Sequence, residues 1–409
     1  MVPLQNFEWT KLDINGTIPK CGSGQETVLI NNKLYLFGGC INNEKTRFRE
    51  GLYEFDLDTH KWSKIISKNE EPPRRTCFCM CKGYYDNTLI IMGGAIEKND
   101  TPYVSATQFA SLTNIGERSE LRQERVESNK TELTTDLYEF NIRTKLWTKL
   151  FDEMPPYYGQ SINLYGSLLL IFGGTKGVIY TNDLYSYDFI TNTITKIETL
   201  GEPPKPLYKH QSIIVKNLTP EFYFKTEVSY NKHFNFSDNN DYLYVIGGGS
   251  YLPIKSYISL YALNLNTFIW KKINSKGLIP HNRIAHSCSY NSDTKEIYLF
   301  GGLNTKLDRL NDFYILNTIT STWKHFNKII KPEVRGFSSS VFYNGGFYIG
   351  FGADNEKIYN DIWKFQITNS VPNLSILCSN IIKQNKKLYK QTPLYLKNYI
   401  DNINNYSTK

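Results

Sequence analysis

The chain is predicted to be all-β, built from six repeated four-stranded sheets packed around a common axis. Three observations predict this. A unit of apolar strand, glycine pair, second strand and tryptophan recurs six times in order. Tyr and Phe are abundant, at 30 and 23 of 409 residues, which favours strands over helices. Helical periodicity of the apolar residues stands out only beyond residue 370.

The units are plain in the sequence. The first reads LYLFGG (34–39), then LYEFDLDTHKW (52–62). The second reads LIIMGG (89–94), then DLYEFNIRTKLW (136–147), and the third LLIFGG (169–174), then NDLYSYDFITNTI (182–194). The fourth is LYVIGG (243–248) with SLYALNLNTFIW (259–270), and the fifth IYLFGG (297–302) with NDFYILNTITSTW (311–323). The sixth is degraded to FYIGFG (347–352) and NDIWKF (360–365).

Each part has a physical role. The apolar run is one strand buried on both faces. The glycines end it where backbones crowd or φ must be positive. Residues of the D-x-x-T kind make a tight turn, and the Trp opens a last strand and fills the gap between neighbouring sheets. An apolar stretch upstream of each glycine pair, such as GQETVLI before Leu34, supplies a fourth strand. One such sheet exposes two apolar faces, and six around an axis cover both.

This unit resembles the kelch repeat, and six of them resemble a six-bladed kelch β-propeller over residues 7–367. Ile194 in place of Trp and Phe351 in place of the first glycine depart from the pattern. The sixth unit lacks its last strand, and FEWTKL (7–12) places Trp9 where that strand needs it. The N-terminal strand is therefore expected to close the ring and remove its open edges. The expected organisation is a propeller over 1–367, with insertions at 96–133 and 217–241, and a helical tail over 368–409. The insertions are read as long, polar loops, the first of them mobile.

Composition excludes several functions. Net charge is +8, from 47 basic and 39 acidic residues, with no long basic run, so no nucleic-acid partner is expected. The first residues, MVPLQNFEWTKLD, hold no apolar core of signal-peptide length. No apolar run is long enough to span a membrane. Seven cysteines in no disulfide framework point to a reducing compartment, cytoplasmic or nuclear. Copper oxidases of this fold need a Tyr, His and Cys constellation, and the six histidines show no metal spacing. His281 and His286 are read as structural. Cys77, Cys79 and Cys81 in CFCMC are read as small buried residues on one straight strand, too far apart for one zinc ion. No phosphate-loop, nucleophile-elbow or zincin motif occurs. Neither an enzyme nor a cofactor is expected.

Binding remains. Basic residues fall at equivalent places just before the first strand of a blade: Arg75, Lys209, Arg283 and Arg335. Arg309 lies in a loop expected to reach the same face. As a ring they would form a positive cup suited to a peptide carboxylate. Ser287, Ser338 and Phe337 beside them would add hydrogen bonds and an aromatic wall. Bracing of neighbouring blades is the alternative role for each Arg.

The tail has two short amphipathic helices. In VPNLSILCSNIIKQ (371–384), Leu374, Leu377, Cys378, Ile381 and Ile382 make one stripe, and in TPLYLKNYIDNIN (392–404), Leu396, Tyr399, Ile400 and Ile403 make another. Leu374, Cys378 and Ile382 resemble an elongin-binding box. Pro393 and Leu396 resemble a cullin box, with Thr392 departing from its apolar first position. Kelch-domain substrate receptors of cullin–RING ubiquitin ligases have this layout. The resemblance implies elongin B/C and a cullin as partners, and a central pocket that grips the C-terminus of a protein substrate. The alternative is a structural or trafficking scaffold, on the cytoskeleton or a small GTPase, whose tail packs on its own propeller.

Overall fold

The computed structural model describes residues 6–41, 48–97, 131–176, 179–218, 240–250, 257–328 and 330–368. The described chain is all strand and turn. The tail, with its expected helical hairpin, and most of both insertions lie outside the described residues. Residues 10–364 form one compact unit. Residues 6–9 and 365–368 belong to a second, in which the Trp9 ring lies 5.2 Å from that of Phe365.

The large unit is a ring of blades. The inner strands are Glu26–Ile30, Cys79–Lys82, Ser161–Tyr165, Gln211–Leu218, Ser287–Asn291 and Ser339–Tyr343. Each touches the inner strand of the next blade, and the sixth touches the first, so the circle closes. Within a blade the strands are antiparallel neighbours in sequence order. The sixth sheet has the order Asn6–Lys11, Ile362–Thr368, Gly346–Gly350, Ser339–Tyr343, so the N-terminal strand completes it as expected. Within the large unit, the Leu12 N–H donates to the Ile362 carbonyl at 2.8 Å.

The core lies between the sheets, where each aromatic reaches across a blade boundary. Trp147 packs on Phe37 of the preceding blade at 5.5 Å, Trp270 on Phe172 at 5.0 Å and Trp62 on Phe351 at 5.8 Å. Ile194 takes the Trp position of blade 3 in a cluster with Ile90 and Met92.

The glycine pairs exist to admit one side chain. Phe78, Gln160, His210 and His286 each enter an inner strand wedged between two glycines. His286, for example, sits where a Cβ on Gly247 of the preceding blade (2.7 Å) or on Gly302 of its own (2.7 Å) would have to be. Both glycines are left-handed, at φ +65° and +92°. In blade 6 the first glycine is Phe351, itself left-handed at +60° and fully buried.

The ends of the blade-2 insertion are paired rather than loose. Ala95–Glu97 pairs with Thr131–Leu133 and with Arg75–Thr76, giving the insertion a short stem.

Gly38→Ala tests the wedge. Its Cβ would meet the Arg75 carbonyl at 2.5 Å and Phe78 at 2.6 Å, at φ +63°. The left-handed backbone alone costs about 1–2 kcal/mol. Urea denaturation should show at least that loss.

Candidate functional site: the central channel and its mouth

One residue before each wedge lies a second ring. Gly24, Cys77, Gly159, Lys209, Ala285 and Phe337 all have positive φ, between +51° and +70°. Five of the six N–H groups donate to the carbonyl of the counterpart in the preceding blade. The bonds are Cys77 to Gly24 (2.9 Å), Gly159 to Cys77 (3.4 Å), Lys209 to Gly159 (2.6 Å), Ala285 to Lys209 (3.0 Å) and Phe337 to Ala285 (2.8 Å). The Gln25 amide closes the circle by donating to the Phe337 carbonyl at 3.1 Å. Cys77 is thus in a left-handed turn, off the strand that carries Cys79 and Cys81, which corrects the straight-strand reading of the three.

Below the ring the inner strands line a polar channel. A cavity of about 180 Å³ is bounded by Glu26, Gln160, Ser161, His210, Gln211 and Ser287, among others. Hydrogen bonds run across it from blade to blade: Ser161 to His210 at 2.8 Å, Ser287 to Ser338 at 3.2 Å and Gln211 to the His286 carbonyl at 3.0 Å. Burial pushes the Glu26 carboxyl up to about 8 and holds the His210 and His286 imidazoles down at about 3. Glu26 keeps a partly accessible surface, since it faces the cavity, while the blade atoms around it deny it solvation. At neutral pH the channel is therefore lined by uncharged groups at these three positions.

The mouth is asymmetric. On the side of blades 1 to 3 the ring residues are small: Gly24, Cys77 and Gly159. On the other side Lys209 lays its ammonium 4.1 Å from the centre of the Phe337 ring and 5.5 Å from that of Tyr208. Tyr158, Tyr180, Tyr208, Ala285, Leu307 and Phe337 belong to one apolar cluster there.

Four of the expected binding residues, Lys209, Phe337, Ser338 and Ser287, converge on this channel. Three do not, and the expected cup of guanidinium groups is corrected. Arg75, Arg283 and Arg335 are 0–1% exposed inside the blades. Each is forked onto an aspartate, Arg75 onto Asp136, Arg283 onto Asp312 (2.6 and 2.9 Å) and Arg335 onto Asp361 (2.6 and 3.2 Å). Each also donates to the carbonyl at the first-glycine position of its own blade: Gly93, Gly301 or Phe351. These are clamps that hold strand to loop. Arg309 opens the strand Arg309–Asn317 and is held by the Leu307 carbonyl and the Asn355 side chain.

Blade 1 has Gly22 at the clamp position, and a Cβ there would collide with Arg49. Arg49 arrives from another loop and makes the equivalent bond to Gly38 at 2.6 Å. Sequence reasoning missed Glu26, Gln160, His210 and Gln211. The signal was there: aligning GQE, CFC, GQS, KHQ, AHS and FSS sets these residues on the successive levels of the channel. Among the described residues, no group of three His, Cys, Asp or Glu side chains is placed to hold a metal ion, and no helix is long and apolar enough to cross a membrane.

A closed ring of such diglycine blades around a polar channel defines a kelch β-propeller. The comparison with known families agrees: the KLHDC2/KLHL20/DRC7 Kelch-repeats domain matches residues 1–115, 126–237 and 225–371, and the chain belongs to that family. Among its relatives is Kelch domain-containing protein 10 of Xenopus laevis, 26% identical over 389 residues, covering 89% of this chain and 80% of that protein. The Homo sapiens protein of the same name is 25% identical, over 82% of this chain and 67% of its own length. Acyl-CoA-binding domain-containing protein 4 of Arabidopsis thaliana is 24% identical, over 87% of this chain and 46% of that protein.

Two outcomes follow for stability. Arg75→Ala leaves Asp136 buried without its counter-charge and should cost about 3–5 kcal/mol in urea denaturation. In the second, pH acts on opposite limbs. The raised Glu26 pKa contributes stability that is complete below the ordinary Glu range and is lost as pH rises through about 8. The depressed His210 and His286 values contribute stability that is present above the ordinary His range and is lost as pH falls towards about 3. Urea midpoints should fall on both sides of neutrality, and Glu26→Gln should flatten the alkaline limb alone.

Proposed function

We propose that this chain is a protein-interaction adaptor of a cullin–RING ubiquitin ligase. On this reading the propeller mouth holds the end of a substrate peptide, and the tail docks on an elongin/cullin assembly. The observation that carries the first half is the mouth itself, where a largely buried ammonium lies against an aromatic wall beside a polar channel. Such a site suits a peptide end, with Lys209 as counter-ion to the carboxylate and the Ser287–Ser338 pair as hydrogen-bonding partners. A Glu26 carboxyl that keeps its proton to about pH 8 adds no repulsion to a bound carboxylate. The second half is supported by the spacing of Leu374, Cys378 and Ile382 after the last blade, with Pro393 and Leu396 downstream. These residues lie outside the described part. The work of such an adaptor is cytoplasmic or nuclear and needs no cofactor.

Two measurements test the halves separately. In a C-terminal peptide panel, Lys209→Ala should weaken the best binder by the worth of a charged hydrogen bond, about 1.5–3 kcal/mol, and Phe337→Ala should weaken it too. Arg309→Ala should act weakly, because that side chain is already engaged by Asn355. Binding that ignores Lys209 and Phe337 removes the mouth as the site. In a pull-down, Leu374→Asp with Cys378→Asp should abolish co-purification of elongin with the propeller still folded. A wild-type protein that retains no elongin would leave a scaffold without a ligase link.

A further inference from the structure

The outer strand of a blade is an exposed edge, and this chain covers most of its edges with its own linkers. Asn15–Gly16 pairs in parallel with Lys61–Trp62 of blade 1, Leu200–Gly201 with Ile269–Trp270 of blade 4, and Lys276–Gly277 with Thr322–Trp323 of blade 5. In blade 2 the Asn69 amide takes the same place, donating to the Trp147 carbonyl at 2.7 Å and accepting from its N–H at 2.9 Å. Among the described residues, no strand pairs with the outer side of Thr193–Ile197 in blade 3 or of Asn6–Lys11 in blade 6. Blade 3 also has the shortest linker. Residues 152–160, nine in all, lead into blade 3, against 12 to 14 residues into each of the others. Met154 is buried, with its N–H on the Thr135 carbonyl at 2.8 Å, so this linker turns inward instead of running out to the edge.

The bare edge of blade 3 keeps the geometry of the covered ones. Asn192 at φ +53° stands where His60, Phe268 and Ser321 stand, at +55°, +52° and +53°. In the covered blades those carbonyls accept the first bond from the covering segment: Asn15 to His60 (3.1 Å), Leu200 to Phe268 (2.9 Å) and Lys276 to Ser321 (2.9 Å). The next bond goes to the Trp carbonyl: Thr17 to Trp62 (2.8 Å), Glu202 to Trp270 (3.3 Å) and Leu278 to Trp323 (3.1 Å). The matching acceptors in blade 3 are the carbonyls of Asn192 and Ile194. Between those two bonds sits a glycine at φ +80° to +83°, where a Cβ would run into the facing Trp carbonyl.

We propose that the outer edge of blade 3 is a docking site for an extended segment of a partner protein, added as a parallel strand with glycine at its centre. The sequence TITKI is rich in β-branched residues, as strand addition requires. Its one charge, Lys196, is neutralised by Asp183 at 2.9 Å. Ile190, 67% exposed, lies just before the strand. A second copy of this edge cannot be the occupant, because Thr193–Ile197 contains no glycine to take the left-handed position. This site is independent of the mouth.

The test uses the whole protein and a fluorescent peptide of residues 274–280, NSKGLIP, the segment that covers blade 5. Anisotropy should show saturable binding below millimolar peptide. Replacing the peptide glycine by alanine should weaken it by about tenfold or more, and so should Ile194→Pro, which removes the outward N–H from the edge. Unfolding midpoints check that the variant is folded, and Ile194→Thr, which keeps the N–H, should bind as wild type does. No saturable binding, equal binding of the glycine and alanine peptides, or binding unchanged by Ile194→Pro would each overturn the proposal. A wild-type dimer that Ile194→Pro makes monomeric would overturn it too, in favour of a second copy.

Discussion

Blade-to-blade register depends on one wedge, a side chain entering the inner strand between two left-handed glycines at four of the six boundaries. The glycines remove two Cβ atoms from the boundary, and the wedge fills the space they leave. Because volume is what matters, the chain can shift it from one residue to another. Blade 6 gives up its first glycine for Phe351, which reaches across to Trp62 itself. Blade 1 gives up its clamp arginine for Gly22 and brings Arg49 in from a different loop, seated over Phe351 at 5.3 Å. Both exchanges meet at the boundary of blades 6 and 1. The adjacent ring of left-handed residues explains how four non-glycine residues, Cys77, Lys209, Ala285 and Phe337, are held at positive φ. Their strain, about 1–2 kcal/mol each, is offset by the circle of backbone hydrogen bonds that only this conformation completes.

That architecture decides where charge is available. Basic residues at equivalent places before the first strands of the blades suggest a basic cup at the mouth. Instead the clamp guanidinium groups are buried beside aspartates, because a loop carbonyl and a carboxylate at the blade boundary need a planar, forked donor. Two residues beyond the clamp, the ring position places Lys209, itself largely buried, with its ammonium against the Phe337 ring. Glu26 below holds its proton past neutrality. On the proposed reading, one ammonium among neutral polar groups would favour a single carboxylate with an apolar neighbour over any acidic surface.

The fold was legible because its determinants are local and repeated. Diglycine, Tyr and Trp recur at fixed offsets, and FEWTKL at the far end marks the strand that the sixth unit lacks. The site was legible in position and misread in role. Arg75, Arg283 and Arg335 stand two residues before the ring, Lys209 and Phe337 on it. At this turn that offset separates a side chain directed into the blade from one at the mouth. Nothing in the residue types shows it, because the left-handed turn is set by a hydrogen bond from the neighbouring blade. Asp136, Asp312 and Asp361 were visible as the acid of TDLY, NDFY and NDIW, in or just before the third strand of their blades. Pairing them with an arginine tens of residues away needed the fold.

Linker length shows how a repeat acquires individuality. The covering segment donates to the outward carbonyl of the Trp residue, and the same Trp packs against the preceding blade, so one residue serves both the edge and the core. Blade 3 has neither partner: its nine-residue linker turns inward at Met154, and Ile194 stands in the Trp position. The isoleucine still packs with Ile90 and Met92, so the core contact survives in reduced form while the edge is left bare. A defect in the fold would be expected to disturb both. Keeping one and releasing the other leaves a rigid blade with an addressable backbone edge. Under the two proposals, such an edge would recognise main chain and a glycine, whereas the mouth, lined by Lys209 and aromatic rings, would discriminate by charge and side chain.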